Sequence, residues 1–246
     1  MDLKLKNKSA LVLASSQGLG KAVAKQLIAE GAKVIISSSN AQNLNQCAEE
    51  IKPFGQLCCD LTNPQQVDQL LRKSIQLLDG IDILVTNAGG PPPGTFHTIS
   101  DAQWHESFQS LFMSVVQSVR AVVPAMSKQG WGRIIMLTST AGKEPLHNLT
   151  ISNGLRAGVH GLMNSLSREL GPDGITVNAV LTGFTKTERL NYLSPEQLKA
   201  FEEAIPVKRM AIPKEIGELV SFLASGSAGY INGQAIGFDG GSMQGI

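Results

Sequence analysis

"VLASSQGLGKAVAKQL", residues 12–27, joins a short apolar run to an amphipathic helix through a turn carrying Gly18 and Gly20. Glycines in such a turn let the backbone approach a pyrophosphate, which then rests on the N-terminus of the following helix. Ala14 occupies the first glycine position of that pattern. Taken alone, the turn reads equally as a β-to-α connection that binds nothing.

Working outward, the same strand-then-helix unit recurs. "SALVLAS" (9–15) precedes a helix over 18–30, "AKVIIS" (32–37) one near 40–52, and "GQLCCD" (55–60) one near 64–78. "IDILVTN" (81–87) ends in the turn-rich "AGGPPPG" (88–94), and a long helix near 101–128 leads to "RIIMLTS" (133–139). A helix starting near 150, with Thr150 or Ser152 as its N-cap, is followed by "ITVNAV" (175–180). A polar excursion over 182–212, a helix near 213–225 and "GQAIGFD" (233–239) close the chain. This alternation predicts one α/β domain over 1–246, a doubly wound parallel sheet of about seven strands with helices on both faces.

With 246 residues, 42% of them hydrophobic, the chain can bury a large single core. A net charge of +1 without runs of like charge argues against nucleic acid or an anionic membrane as partner. Cys47, Cys58 and Cys59 lack metal-ligand spacing, so no metal site is expected. Adjacent on a strand, Cys58 and Cys59 should point to opposite faces and pack as thiols in a reducing compartment. The opening "MDLKLKNKSALVLASS" is too broken by charge for a signal peptide or membrane span, and a cytoplasmic protein is expected.

Three further motifs fall at strand carboxyl ends, where open α/β sheets bind ligands: "CDL" after the third strand, "VTNAGG" after the fourth and "NAVLTGFTKT" after the sixth. With them, and with the tail "VKRMAIPKEIGELVSFLASGSAGYINGQAIGFDGG" (207–241), the chain resembles the short-chain dehydrogenase/reductase family over essentially its whole length. It is most similar to the branch around 3-oxoacyl-carrier-protein reductases, Rossmann-like oxidoreductases that move hydride between nicotinamide and a carbonyl or alcohol. The resemblance implies that Ser16, Gln17, Gly18, Leu19 and Gly20 surround the pyrophosphate and adenosine ribose. It places Asp60 and Leu61 beside adenine, Asn87, Ala88 and Gly89 along the ribose, and Gly183, Thr185 and Thr187 on the nicotinamide side. The proline that usually precedes that glycine is Thr182 here.

An acid at the end of the second strand would accept hydrogen bonds from a ribose 2′-hydroxyl and repel a 2′-phosphate. Ser38 stands there, followed by Ser39, with Gln17 at another position where NADP enzymes often carry a base. The missing acid disfavours NAD(H), and hydroxyls with Asn40 can bond a phosphate, so NADP(H) is slightly favoured.

In this family a serine positions the substrate carbonyl, a tyrosine supplies the proton, a lysine four residues later orients the ribose and lowers the tyrosine pKa, and an asparagine completes a water relay. Ser139 matches the serine. The tyrosine and lysine positions, thirteen and seventeen residues on, are Ser152 and Arg156, and the asparagine position is Leu111. The two tyrosines, Tyr192 and Tyr230, lie elsewhere. Ser152 does not titrate near neutrality; Arg156 cannot shuttle a proton, although its fork can hold the ribose or a carboxylate. His147, in the loop before the helix, has a suitable intrinsic pKa but reads first as a solvated loop residue, and His160 falls further along the helix, away from the pocket.

Two readings stay open. One is an NADP-linked oxidoreductase on a small or acyl carbonyl substrate, with atypical or weak catalysis through Ser139, Ser152 and Arg156. The other is an inactive nucleotide-binding homologue, a sensor or non-catalytic subunit. The stretch 183–212 is expected to be a substrate lid. "GGPPPGTF" (89–96) should form a rigid wall of the cleft. The small-residue stripe Gly154, Gly158, Gly161 and Ser165 fits close helix–sheet packing; the resemblance instead implies a homodimer or homotetramer through that helix.

Overall fold

The computed structural model describes residues 2–191 and 193–245, leaving Tyr192 outside the described residues. Seven parallel strands form one sheet in the order β3-β2-β1-β4-β5-β6-β7: β1 Ser9–Val12, β2 Lys33–Ser38, β3 Gly55–Cys58, β4 Ile83–Thr86, β5 Gly132–Ser139, β6 Ile175–Thr182 and β7 Ala235–Phe238. The central strands are buried on both faces, as parallel strands flanked by helices must be. Alternate residues divide between two cores. Leu11, Leu84 and Met136 face one, while Val12, Val85 and Leu137 face the other.

Helices α1 (Gly18–Ala29), α2 (Ala41–Ile51) and α8 (Pro213–Ala224) cover one face of the sheet. Helices α3 (Pro64–Leu78), α5 (Ser114–Gln129) and α6 (Thr150–Leu170) cover the other. Helix α4 (Asp101–Phe108) runs into α5 through a π-helical turn, Gln109–Met113. The combined run Asp101–Gln129 is long and apolar enough by composition to cross a bilayer. Val115, Val119, Val122 and Met126 instead bury its apolar stripe against the sheet, so it is a core helix. Helix α7 (Pro195–Ala204), inside the expected lid, starts at a Ser194–Gln197 capping box.

The winding reverses between β1 and β4, which opens a crevice at their carboxyl ends. One local expectation is corrected. Helix α6 begins at Thr150 with Leu149 as N-cap and no side-chain cap, because the Thr150 amide donates to Gly94 O at 3.3 Å. Ser152 is thereby drawn inside the first turn and buried. As expected, Cys58 is exposed and Cys59 buried; burial pushes the Cys59 thiol up to about 12.

Candidate functional site

At the nucleotide end the turn after β1 is held open by backbone geometry. Ala14 sits at φ +45° and Gly18 at +54°, in the left-handed region that side chains resist. Ala14 thus adopts the shape of the glycine it replaces. A Cβ on Gly20 would lie 2.5 Å from Ala14 O and 2.8 Å from Asn87 Nδ2, so only glycine lets α1 start this close to the strand ends. Asn87 Nδ2 donates to Ala14 O at 2.9 Å, tying the end of β4 to the turn.

Gln17 is the N-cap of α1 and makes no side-chain cap bond, so the amides of the first turn point outward without an internal partner. Ser15 is buried beneath them, its hydroxyl donating to Val12 O at 2.7 Å. Ser16 Oγ donates to Ser38 Oγ at 2.8 Å, and Ser38 Oγ accepts the Asn40 amide at 3.2 Å. Asn40 Oδ1 caps α2 by accepting from Asn43 N. Ser39 and Gln17 remain exposed at this corner.

Asp60 Oδ1 accepts from the Thr62 amide and hydroxyl, both at 2.9 Å, which shapes the turn that buries Leu61. Beyond Asn87, Ala88 is half-buried and Gly89 exposed. On the far side of the crevice, Gly183 packs against Asp239, where a Cβ would come within 2.9 Å of Asp239 Cα. The methyl carbon of Thr187 lies 3.7 Å from a Cβ placed on Gly18, so the lid's first residues reach the Gly-rich turn. Thr185 Oγ1 is buried without a hydrogen-bond partner. An orphaned buried hydroxyl costs stability, and a polar ligand in the crevice would supply its partner. That hydroxyl, the uncapped α1 and the cradle kept open at Gly20 fit a dinucleotide.

At the reaction end, Ser139 closes β5 and its Oγ accepts the Ala141 amide at 3.2 Å, shaping the turn Thr140–Gly142. Ser152, Arg156 and His160, spaced by four along α6, form a column facing this turn. Arg156 Nε donates to Ser152 Oγ at 3.2 Å and Nη1 to Leu137 O at 3.5 Å. His160 Nε2 shares a 2.9 Å hydrogen bond with Thr138 Oγ1, and the ring also bonds the backbone of Gly142. Burial, with the neighbouring Arg156 charge, holds the His160 pKa below its ordinary value. His160 lines neither cavity described below, yet it supports the residue before Ser139. Its four-residue spacing from Arg156 was the available signal for that role.

Leu111 is buried in the π-helical turn and packs with Ile99 and Ile151. It also borders a 20 Å³ space shared with Asn87, Ser110, Ser114, Thr138 and Arg156. His147 is exposed in the loop 143–149. Tyr230 is fully exposed beside Asn232, whose side chain accepts from Val177 N near the start of β6, at the opposite end of the strands from Ser139. Among the described residues, no three His, Cys, Asp or Glu side chains gather as a metal site.

A cavity of 1210 Å³ meets these residues only at Gly18 and Thr187; the rest of its wall is the outer face of α1, Glu50, the start of α8 and lid residues from Lys186 to Asn191 and from Leu193 to Glu202. That segment is anchored at its root by the pairing of Thr185 with Ala211, by Phe184 stacked on Phe201 at 4.6 Å, and by a 2.7 Å Lys186–Glu202 ion pair.

A family model described as enoyl-(acyl carrier protein) reductase matches residues 13–243. The 3-oxoacyl-[acyl-carrier-protein] reductase FabG of Aquifex aeolicus is 34% identical over 98% of this chain and 99% of its own. Two solved structures superpose with a TM-score of 0.93. YwfH, an NADPH-dependent reductase of bacilysin biosynthesis, is 28% identical over 98% of this chain and all of its own. L-sorbose reductase from Gluconobacter frateurii, solved with NADPH and L-sorbose, is 27% identical over the whole of both chains.

Proposed function

The chain belongs to the short-chain dehydrogenase/reductase family, an oxidoreductase resembling the 3-oxoacyl-carrier-protein reductases, and we propose that it is an NADPH-linked carbonyl reductase with slow chemistry. The observation that carries the nucleotide half is the cradle that only Gly20 permits at the start of an uncapped α1, with the orphaned Thr185 hydroxyl beside the lid residue Thr187 that reaches this turn. The first-turn amides of α1 would hold the pyrophosphate, and Thr185 the nicotinamide side. No carboxylate ends β2, and exposed Ser39 and Gln17 give a 2′-phosphate polar neighbours, which supports NADPH over NADH.

When bound, the cofactor supplies a hydride to a carbonyl carbon, and the nascent alkoxide needs a proton. Ser139 can donate a hydrogen bond to that oxygen. Ser152 accepts from Arg156 and is not acidic near neutrality, so it orients rather than protonates. Losing an effective general acid lowers the rate by about 10²–10⁴-fold. Residual turnover would rest on the alignment of substrate and cofactor by Ser139 and the nucleotide-site residues.

The segment 183–212 is read as a substrate lid rooted at Thr185–Ala211, with a small or acyl carbonyl compound beneath it. A homodimer or homotetramer is proposed through α6. Gly154, beside Trp104, and Gly158, beside Phe112, are exposed together with Gly161 and Ser165, leaving the stripe open to a partner helix. The three free thiols accord with a cytoplasmic setting.

The test is NADPH and NADH titration followed by NADPH consumption over ketones, diketones, enones and acyl thioesters. Binding that favours NADPH, with slow consumption of one class, is expected. Binding without consumption across the panel removes the reductase reading, and a clear NADH preference removes the cofactor assignment.

A further inference from the structure

The 1210 Å³ cavity lies outside the crevice at the strand ends and has its own chemistry. Helix α1 turns Gly20, Val23, Ala24 and Leu27 into the core, whereas Lys21, Ala22, Lys25 and Ala29 border the cavity from its other side. The lid supplies the opposing wall with Leu190, Leu193 and Leu198, each half-buried. Ala22, Ala29 and these leucines give the lining an alkyl part, with Gln26, Thr187 and Asn191 beside it, and the volume exceeds the ~300–1,000 Å³ usual for small-molecule sites.

Five lysines border the cavity. Lys186 pairs with Glu202, Lys199 with Glu203 and Lys214 with Glu218, each with a carboxylate of its own. Lys21 and Lys25 both lean on Glu50, at 2.6 and 3.6 Å, so one carboxylate serves two ammonium groups. A second anion beside Lys25 would complete that charge balance.

We propose that this cavity is a second ligand site for an amphipathic acyl carboxylate, its alkyl chain lying between α1 and the lid and its head beside Lys25. The site is independent of turnover. Gly18 and Thr187 border both this cavity and the proposed nucleotide site, while the rest of its lining lies outside the residues assigned to that site.

Titration of the full chain with the fluorescent probe 11-(dansylamino)undecanoic acid, with and without saturating NADPH, tests this. Saturable emission enhancement is expected in both conditions, with the dissociation constant shifted less than about threefold by NADPH. Ala29→Trp, which fills the space, and Leu198→Glu, which charges the alkyl wall, should each weaken the probe by about tenfold or more with NADPH affinity retained. Lys25→Glu should weaken the probe but not its methyl ester. No saturable enhancement, one-for-one displacement by NADPH, or unchanged affinity in whichever of the first two variants folds overturns the proposal. Failure of NADPH to bind in the same samples counts against the function proposed above, and the probe's response to the variants still decides this site.

Discussion

At the β1–β2–β4 end of the sheet, the proposed ligand site is made of backbone shape: Ala14 holds a left-handed turn, Gly20 allows close approach, and Asn87 ties the two strand ends together. At the β5 end the polar side chains serve one another. Ser152 is taken by Arg156, and His160 by Thr138 and Gly142. A site made of backbone can accept an alanine at a glycine position, because Ala14 still reaches the left-handed φ. A proton donor has no backbone substitute, so replacing its side chain changes the chemistry itself.

That contrast is broken most forcefully at Gly20. Gly20→Ala should cost about 2 kcal/mol through contact with Ala14 O and Asn87, read by denaturant unfolding, and should remove most NADPH affinity. Unchanged binding would mean that the close approach does not shape the cofactor site.

His160 sharpens the other end. Its pKa is held low when folded, so the unfolded chain binds its proton first as pH falls below about 6.5. The neutral ring therefore contributes fully above that pH, and the contribution is lost as pH drops through the folded value. The melting temperature should decline between pH 7 and 5, and His160→Gln should flatten that part of the profile.

The smallest effect is expected at Ala14. Ala14→Gly relieves a left-handed φ but adds chain entropy to the unfolded state, for a net gain of about 0.5–1 kcal/mol. NADPH affinity should not fall.

The fold was legible because apolar periodicity is a local property. The helix expected near 64–78 is Pro64–Leu78, and the strand motifs end at the crevice as expected. The π-helical turn Gln109–Met113 was not legible; the expected helix near 101–128 ran through it, since the helical spacing of Phe108, Leu111, Phe112, Val115 and Val119 continues across it in the sequence. There the Ser114 hydroxyl donates to Ser110 O at 2.6 Å. The clasp between Glu144 and the Gln244 and Gly245 amides joins points about a hundred residues apart and has no local signature. In the site, residue types at strand ends could be read from the chain. The engagement of Ser38 by Ser16, and of Ser152 by Arg156, needed coordinates.

The most direct measurement compares NADPH affinity and ketoreductase turnover in the native chain and in Ser152→Tyr with Arg156→Lys, under identical conditions. The account predicts dissociation constants within about threefold of each other and turnover about 10²-fold higher in the double variant. Equal turnover with intact NADPH binding would contradict it, placing the limit at Leu111 or in the shape of the substrate pocket rather than at the proton donor.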